Sequence, residues 1–480
     1  MTARAPLTFL LLVLVHGSGV GADRFALAGD TIQSGRAVPT IVIVAGSRIE
    51  AVQRRGPVPA GVPVVSVDGL ILPGFIDLHD HLTWDALPRW KPSATYGNRS
   101  DWQSAADYER LLAHPHAELL KQQFGCALEQ FGEIKAMFGG ATSVTGSGVP
   151  NSCMTGFARA AECASGQLAE IFWQRSSRAT PPRSCPTGPL RTLDQPAGAR
   201  STGSGDLRVR YEVFPLSLSR AQRNELLGSS GSPQTPVLLI HAAEGRDVKS
   251  HAEFNTLDAE GFLRPRVALI HGISLTRGDL QTLAARGVGL VWSPRSNVEL
   301  YGATADVEQA LNLGVTVALG PDWNPTGSSG MLDEMHFASG WAARHWHRKL
   351  TDAELLGMAT GDPARLAGLD RTIGAIAPGL LADLIVVPYA AKQHSEYLAG
   401  ASPATIRLLI ADGVPRMGEP LLMRRLAPSA RLEGVTVCGA GKLLNVADKM
   451  QGATFASLQT LLRERLAALG VKMAPLAECN

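Results

Sequence analysis

The sequence predicts an α/β chain: a (β/α)8 barrel with a small composite β-sandwich domain built from both chain ends. Three observations carry this. Eight short apolar runs, at 70–78, 141–145, 168–173, 207–214, 236–240, 266–270, 288–292 and 315–319, alternate with stretches of helical character. Such alternation argues for a parallel sheet, and eight units favour a closed barrel over an open doubly wound sheet. Several runs end in chemistry-bearing residues: His79 and His81 after the first, then His241, His271, Ser293 and Asp322, at intervals of 30, 22 and 29 residues, about one strand-helix unit each. Finally, β-rich segments punctuated by Gly and Pro occur before residue 69 and again after residue 375, which suggests one sheet domain closed by both termini.

Taken in order, the chain opens with a signal-peptide pattern: Arg4, an apolar core over 7–15, then small residues up to Ala22. The apolar core is too short for a comfortable span, so the expectation is an exported protein, periplasmic or secreted, starting near Asp23, with no stable membrane insertion after cleavage. The expected organisation is 1–22 signal peptide, 23–69 and 375–425 composite β-domain, 70–374 barrel, and 426–480 C-terminal extension. The stretch 83–140 is long and carries Trp84, Trp90, Tyr96, Arg99 and Trp102, which either line a pocket or pack against the barrel rim. The stretch 174–206, rich in Arg, Ser, Pro and Gly, reads as an irregular surface insertion.

With 45 Lys and Arg against 43 Asp and Glu, and no basic run interleaved with aromatics, nucleic acid is excluded as a partner. No glycine-rich phosphate fingerprint follows the first strand. Six cysteines can pair in an oxidising compartment. Cys153, Cys163 and Cys185 lie close together in loop-like sequence and are expected to contain one disulfide; Cys126, in a helical pattern, is expected to be a buried free thiol.

The pair His79 and His81 closes LILPGFIDLHDHL (70–82). In an extended segment residues i and i+2 share a face, so both imidazoles can reach one ion. Two other pairs of this spacing, His114 with His116 and His345 with His347, have no apolar strand leading into them and are read as solvated. The later strand ends add His241 with Glu244 in PVLLIHAAEG, His271 in RVALIHGISL, Ser293 and Asn297 in VGLVWSPRSN, and Asp322 in TVALGPDWNP. In a barrel all of them face the C-terminal rim, where active sites of this fold form.

PGFIDLHDH (73–81), His241, His271 and Asp322 make the chain resemble the amidohydrolase superfamily, metal-dependent hydrolases on a TIM barrel. More narrowly it resembles the branch of cytosine and guanine deaminases, adenosylhomocysteine deaminase and triazine hydrolases. That branch pairs a strand-five histidine with a glutamate three residues on, as His241 and Glu244 stand here, and has a segment like Ser293-Pro294-Arg295-Ser296-Asn297. The resemblance spans roughly 26–423. Pro321 departs from it, where a small hydroxylated residue is usual, and the tail after Arg424 has no counterpart in it.

The resemblance implies one divalent metal held by His79, His81, His241 and Asp322, because the lysine that bridges a second ion at the end of strand four in binuclear members is absent from LRVRYEVFPL. Three imidazoles and a carboxylate with an open position favour Zn2+, with Fe2+ the alternative. It further implies catalytic roles for Glu244, His271 and Asp322: Asp322 orients a metal-activated water and takes its proton, Glu244 protonates the substrate nitrogen, and His271 orients the attacked group. Without that chemistry Glu244 would be a helix N-terminal charge. A lone carboxylate at the end of a buried strand, as at Asp322, would still need a cation.

The function expected is a hydrolase acting on a non-peptide carbon-nitrogen bond of a small molecule, with deamination of a heterocycle one case of it. Export points instead toward a cyclic amide or another extracellular compound. A dipeptidase-like amidohydrolase and a non-catalytic metal-binding barrel are the competing readings, and homo-oligomerisation is left open.

Overall fold

The computed structural model describes residues 24–146, 159–160, 209–227, 237–389, 397–398, 400–447, 450 and 453–479. Four strands lead: β1 (Arg24–Gln33), β2 (Arg36–Ala45), β3 (Arg48–Arg54) and β4 (Val64–Pro73). The first hairpin turns through Ser34 (φ 49°) and Gly35 (φ 75°), two successive left-handed residues whose twist matches that of the flanking strands.

Eight strands follow: β5 (Phe75–Asp77), β6 (Ala141–Val144), β7 (Arg159–Ala160), β8 (Val209–Val213), β9 (Val237–Ala242), β10 (Val267–His271), β11 (Gly289–Trp292) and β12 (Val317–Leu319). The last five are β13 (Leu384–Val387), β14 (Leu408–Ala411), β15 (Val414–Gly418), β16 (Glu433–Val437) and β17 (Ala440–Leu444).

Both chain ends build one nine-stranded sheet, in the order β16-β17-β15-β14-β13-β4-β1-β2-β3. Its seam is β4, parallel to β1 and antiparallel to β13, with Leu72 opposite Ile385. The segment after residue 426 is therefore not a free appendage: β16 and β17 extend this sheet. Beyond them helix Phe455–Ala468 buries Phe455, Leu458, Leu462 and Leu466 along one face, and Phe455 stacks on Phe131 of helix Gly125–Phe138, at 6.3 Å between ring centroids.

The apolar run 70–78, expected as one barrel strand, is divided. Residues up to Pro73 belong to the nine-stranded sheet, and the chain enters the barrel only at Phe75. Gly74 makes the crossing: a Cβ there would lie 2.2 Å from Thr142 Oγ1, so only glycine lets the two sheets approach so closely.

Strands β5-β6-β7 form one parallel set and β8 to β12 another. A parallel bridge between Asp80 and Asp322, with Asp322 N–H donating to His79 O at 2.7 Å, joins them. All eight strands thus point the same way, and their C-terminal ends share one rim. Strands β9 and β10 are buried on both faces: Val237, Leu239, Ala268 and Ile270 fall in one apolar cluster, and Leu238, Ile240 and Leu269 in another. That is why they read as unbroken apolar runs rather than alternating ones. The third strand expected at 168–173 lies outside the described residues; the strand beside β6 is Arg159–Ala160. The insertion expected at 174–206 is also outside them.

The cysteine expectations need correction. Cys126 is disulfide-bonded rather than a free thiol, and Cys438 in the β16–β17 turn is bonded to Cys479. Cys153, Cys163 and Cys185 lie outside the described residues, as does the expected signal segment. Among the described residues no helix is long and apolar enough to cross a membrane.

Candidate active site

Four strand ends bring the expected site residues together. His79 and His81 follow β5, His241 lies in β9, His271 closes β10, and Asp322 lies just beyond β12. His79 Nε2 is 3.2 Å from His241 Nε2 and 3.3 Å from Asp322 Oδ1, and His81 Nε2 is also 3.3 Å from Asp322 Oδ1. His271 joins the same cluster: its ligand atom lies within 4.8 Å of those of His79 and His241. His271 (φ 71°) and Asp322 (φ 75°) both adopt left-handed backbone, a strain of about 1–3 kcal/mol that strand ends at functional sites commonly carry.

Burial drives the imidazoles of His79 and His241 well below their ordinary pKa, and the neighbouring imidazoles, His271 foremost, add to the effect. Both rings are therefore neutral near pH 7. Neutral nitrogens that face each other and a carboxylate oxygen in a desolvated space form a donor set suited to a divalent transition metal. The residues present fit such an ion.

The segment Ser293-Pro294-Arg295-Ser296-Asn297 orients this set. Ser293 Oγ lies 2.7 Å from His79 Nδ1, Ser296 Oγ donates to Asp322 Oδ2 at 2.5 Å, and Asn297 Oδ1 accepts from His271 Nδ1 at 2.8 Å. With its Nδ1 proton on an amide oxygen, His271 presents Nε2 to the cavity. Ser293 and Asn297 were legible as strand-end polar residues; Ser296 was visible only as part of the motif.

Glu244 is 3.9 Å from His271 Nε2 and is held at both oxygens. Tyr301 OH donates to Oε1 at 2.7 Å and itself accepts from Trp102 Nε1 at 2.7 Å, while Arg99 Nη1 donates to Oε2 at 3.0 Å. The Arg99 guanidinium lies 4.6 Å over the Phe214 ring, which in turn stacks on His241 at 4.7 Å. Phe214 follows β8, at the strand end where a second-ion lysine would have to stand.

Above the cluster opens a cavity of about 370 Å³ whose aromatic wall is Trp84, Trp102, Tyr108, His116, Phe214 and Trp323. Of the five residues singled out in the stretch 83–140, Trp84, Arg99 and Trp102 line it; Trp90 is buried in the packing behind, with Tyr96 beside it. His116 stacks on Trp84 at 3.8 Å and bonds Thr83 Oγ1 through Nε2 at 3.0 Å; burial takes its pKa down to about 3. This corrects the solvated reading for His116. His347 is exposed and pairs with Glu308, away from the cavity.

Comparisons with known proteins agree with this geometry. The family model described as Amidohydrolase family matches residues 237–416. A 5-methylthioadenosine/S-adenosylhomocysteine deaminase of Pelotomaculum thermopropionicum is 33% identical over 196 residues, 36% of this chain and 44% of that protein. A 5'-deoxyadenosine deaminase of Methanothermobacter thermautotrophicus is 31% identical over 257 residues, 48% of this chain and 60% of that one. The chain thus spans about half the length of these relatives. In fold it is similar to an adenosine deaminase from Xanthomonas campestris solved with bound zinc, at a TM-score of 0.61 and 17% identity over 93% of this chain and 98% of that one. The family match is thus confined to residues 237–416, which hold His241, Glu244, His271 and Asp322 of the cluster.

Proposed function

We propose that this protein is a hydrolase that removes an amino group from a small aromatic heterocycle, using one divalent metal, preferably zinc, held by His79, His81, His241 and Asp322. The observation that carries the reading is the junction of two features: an aromatic-walled cavity ends on the imidazole-carboxylate cluster, with Glu244 beside it. The matched relatives named as deaminases support the same reaction class.

When bound, the metal supplies Lewis acidity that makes water nucleophilic at neutral pH. The chain's own residues do the rest. The aromatic wall stacks a planar ring and excludes bulk water. Asp322, with Oδ2 tied to Ser296, accepts a proton from the attacking water. Glu244 delivers a proton to the substrate nitrogen, and its position is fixed by Tyr301 and Arg99. His271, its Nδ1 proton on Asn297, orients the group at the attacked carbon. In sum a C–O bond forms, the C–N bond breaks, and the two protons of water end on the product and the departing ammonia.

The Cys438–Cys479 disulfide supports the further reading that the protein works in an oxidising compartment outside the cytosol.

A panel of aminopurines, aminopyrimidines and aminotriazines, assayed for ammonia release with zinc-loaded protein, tests the proposal. Turnover with ammonia as product is the expected result. Hydrolysis confined to dipeptides or cyclic amides, with no ammonia from any heterocycle, would replace deamination by amide cleavage.

A further inference from the structure

The C-terminal tail, for which the sequence offered no role, touches the helix start at Arg295 and, through Arg89, the loop after Asp322 that shape the metal cradle. Glu478 spreads its carboxylate between two arginines: Oε2 lies 2.8 Å from Arg295 Nη2, and Oε1 lies 3.1 Å from Arg89 Nε. Each side chain of this trio is only 20% exposed, so the charges interact with limited solvent screening. The Glu478 N–H also donates to Ser329 Oγ at 3.2 Å.

Each arginine leads to the site by a short path. Arg295 stands between Ser293, which touches His79, and Ser296, which binds Asp322. Arg89 Nη1 donates to the carbonyls of Asn324, at 2.9 Å, and Gly327, inside the loop that follows Asp322. That loop meets the serine again at Thr326, whose Oγ1 is 3.0 Å from Ser296 Oγ. Without Glu478, Arg89 would keep Glu299, 3.5 Å from its Nη2, but its guanidinium and that of Arg295 would repel each other without the carboxylate that joins them.

The tail is tethered on both sides of these contacts. Ala474 N–H donates to Ala86 O at 2.9 Å, Val471, Ala474, Leu476 and Ala477 are buried, and the residue after Glu478 is Cys479, bonded to Cys438 of the nine-stranded sheet. The disulfide thus fixes the residue that follows the bridging carboxylate to the nine-stranded sheet.

We propose that Glu478, pinned by the Cys438–Cys479 disulfide, is a positioning residue of the metal site, acting through Arg295 and Arg89 on Ser296 and Asp322. The inference rests on the reading of His79, His81, His241 and Asp322 as the metal cradle.

The test uses the full chain loaded with zinc and follows release of the metal to an excess of chelator, alongside denaturant unfolding. Partners of metal ligands are typically worth about 10- to 100-fold in affinity. Glu478→Gln should release zinc about tenfold faster than the parent, and Glu478→Asp should restore part of the difference. Combining Glu478→Gln with Ser296→Ala should give less than the sum of the two effects, because both act on Asp322. The double variant Cys438→Ser with Cys479→Ser should reproduce the faster release and serves as the test if Glu478→Gln fails to fold. Equal release rates in parent and variants, with only the unfolding midpoint lowered, would reduce the tail to a structural strap. A parent chain that holds no zinc overturns this inference together with the metal reading beneath it, and is told apart from the former outcome by metal content before chelation.

Discussion

Ser296 Oγ donates to Asp322 Oδ2 over 2.5 Å, which leaves Oδ1 as the oxygen facing His79 and His81 at 3.3 Å each. One hydroxyl thus decides which carboxylate oxygen is offered to a metal. Ser296→Ala frees the carboxylate to rotate and should weaken metal retention by about 10- to 100-fold while the chain remains folded. Competition with a chromogenic chelator measures it; unchanged retention would mean that backbone strain at Asp322 alone fixes the carboxylate.

Glu244→Gln and Asp322→Asn should separate. The first keeps the shape of the side chain between Tyr301 and Arg99 but cannot carry a proton, so turnover should fall by about 10²- to 10⁴-fold with metal content intact. The second removes a charged ligand and should lose metal as well as activity. Metal content and steady-state rates of both variants decide it; loss of metal in Glu244→Gln would promote that residue to a ligand.

The stacked pair Phe214 and His241 predicts metal stoichiometry. With an aromatic ring at the end of β8, a second ion has no bridging ligand there, and elemental analysis after dialysis should return about one transition metal per chain. Removing that metal should lower thermal stability and restoring it should recover the loss, because an ion that binds only the folded state stabilises it by mass action. Two tightly held ions required for activity would refute the single-metal reading.

Glu334 supplies a pH dependence. Burial lifts its carboxyl from the ordinary 4.5 to about 8, against the opposing pull of the Ser328 hydroxyl and the Arg295 N–H. The folded chain then keeps a proton that the unfolded chain has released. The contribution to stability is complete below about pH 4.5 and declines as pH rises toward about 8, by up to ~1.4 kcal/mol per pH unit. Glu334→Gln should flatten this slope, gaining on the parent as pH rises from 5 to 8. Parallel slopes in denaturant titrations of the two proteins would contradict the protonated assignment.

The cluster of His79, His81, His241, His271, Glu244 and Asp322 was legible because each member sits at or just beyond an apolar run, and a barrel sends all such ends to one rim. Side chains that reach the site from loops and helices carried no such periodic mark. Tyr301 lies on helix Pro294–Tyr301 and Arg99 on helix Arg99–Gln103, and their meeting at Glu244 depends on tertiary packing alone. His116 shows the converse error. Set aside because its H-x-H pair lacks a leading strand, it lies on helix His114–Lys121, where residues two apart point in different directions: His114 is exposed while His116 is buried against Trp84. The division of the run 70–78 at Gly74 was equally hidden, since both sheets want the same apolar residues and only the approach of Thr142 reveals the crossing.

The seam at β4 has a consequence for how the molecule is made. Its partner β13 is synthesised some three hundred residues later, and Arg407, which bonds Asp68 O, is separated from it by 339 positions. While the ribosome works through the barrel, one side of β4 has unsatisfied backbone groups and an apolar face, the arrangement that invites pairing with a foreign strand. Parallel strands and distant partners fold slowly for the same reason, because loop closure is opposed by chain entropy before the contacts form. Chains truncated before residue 384 should therefore aggregate during expression rather than accumulate as a folded barrel, even though every metal-cradle residue has already been translated.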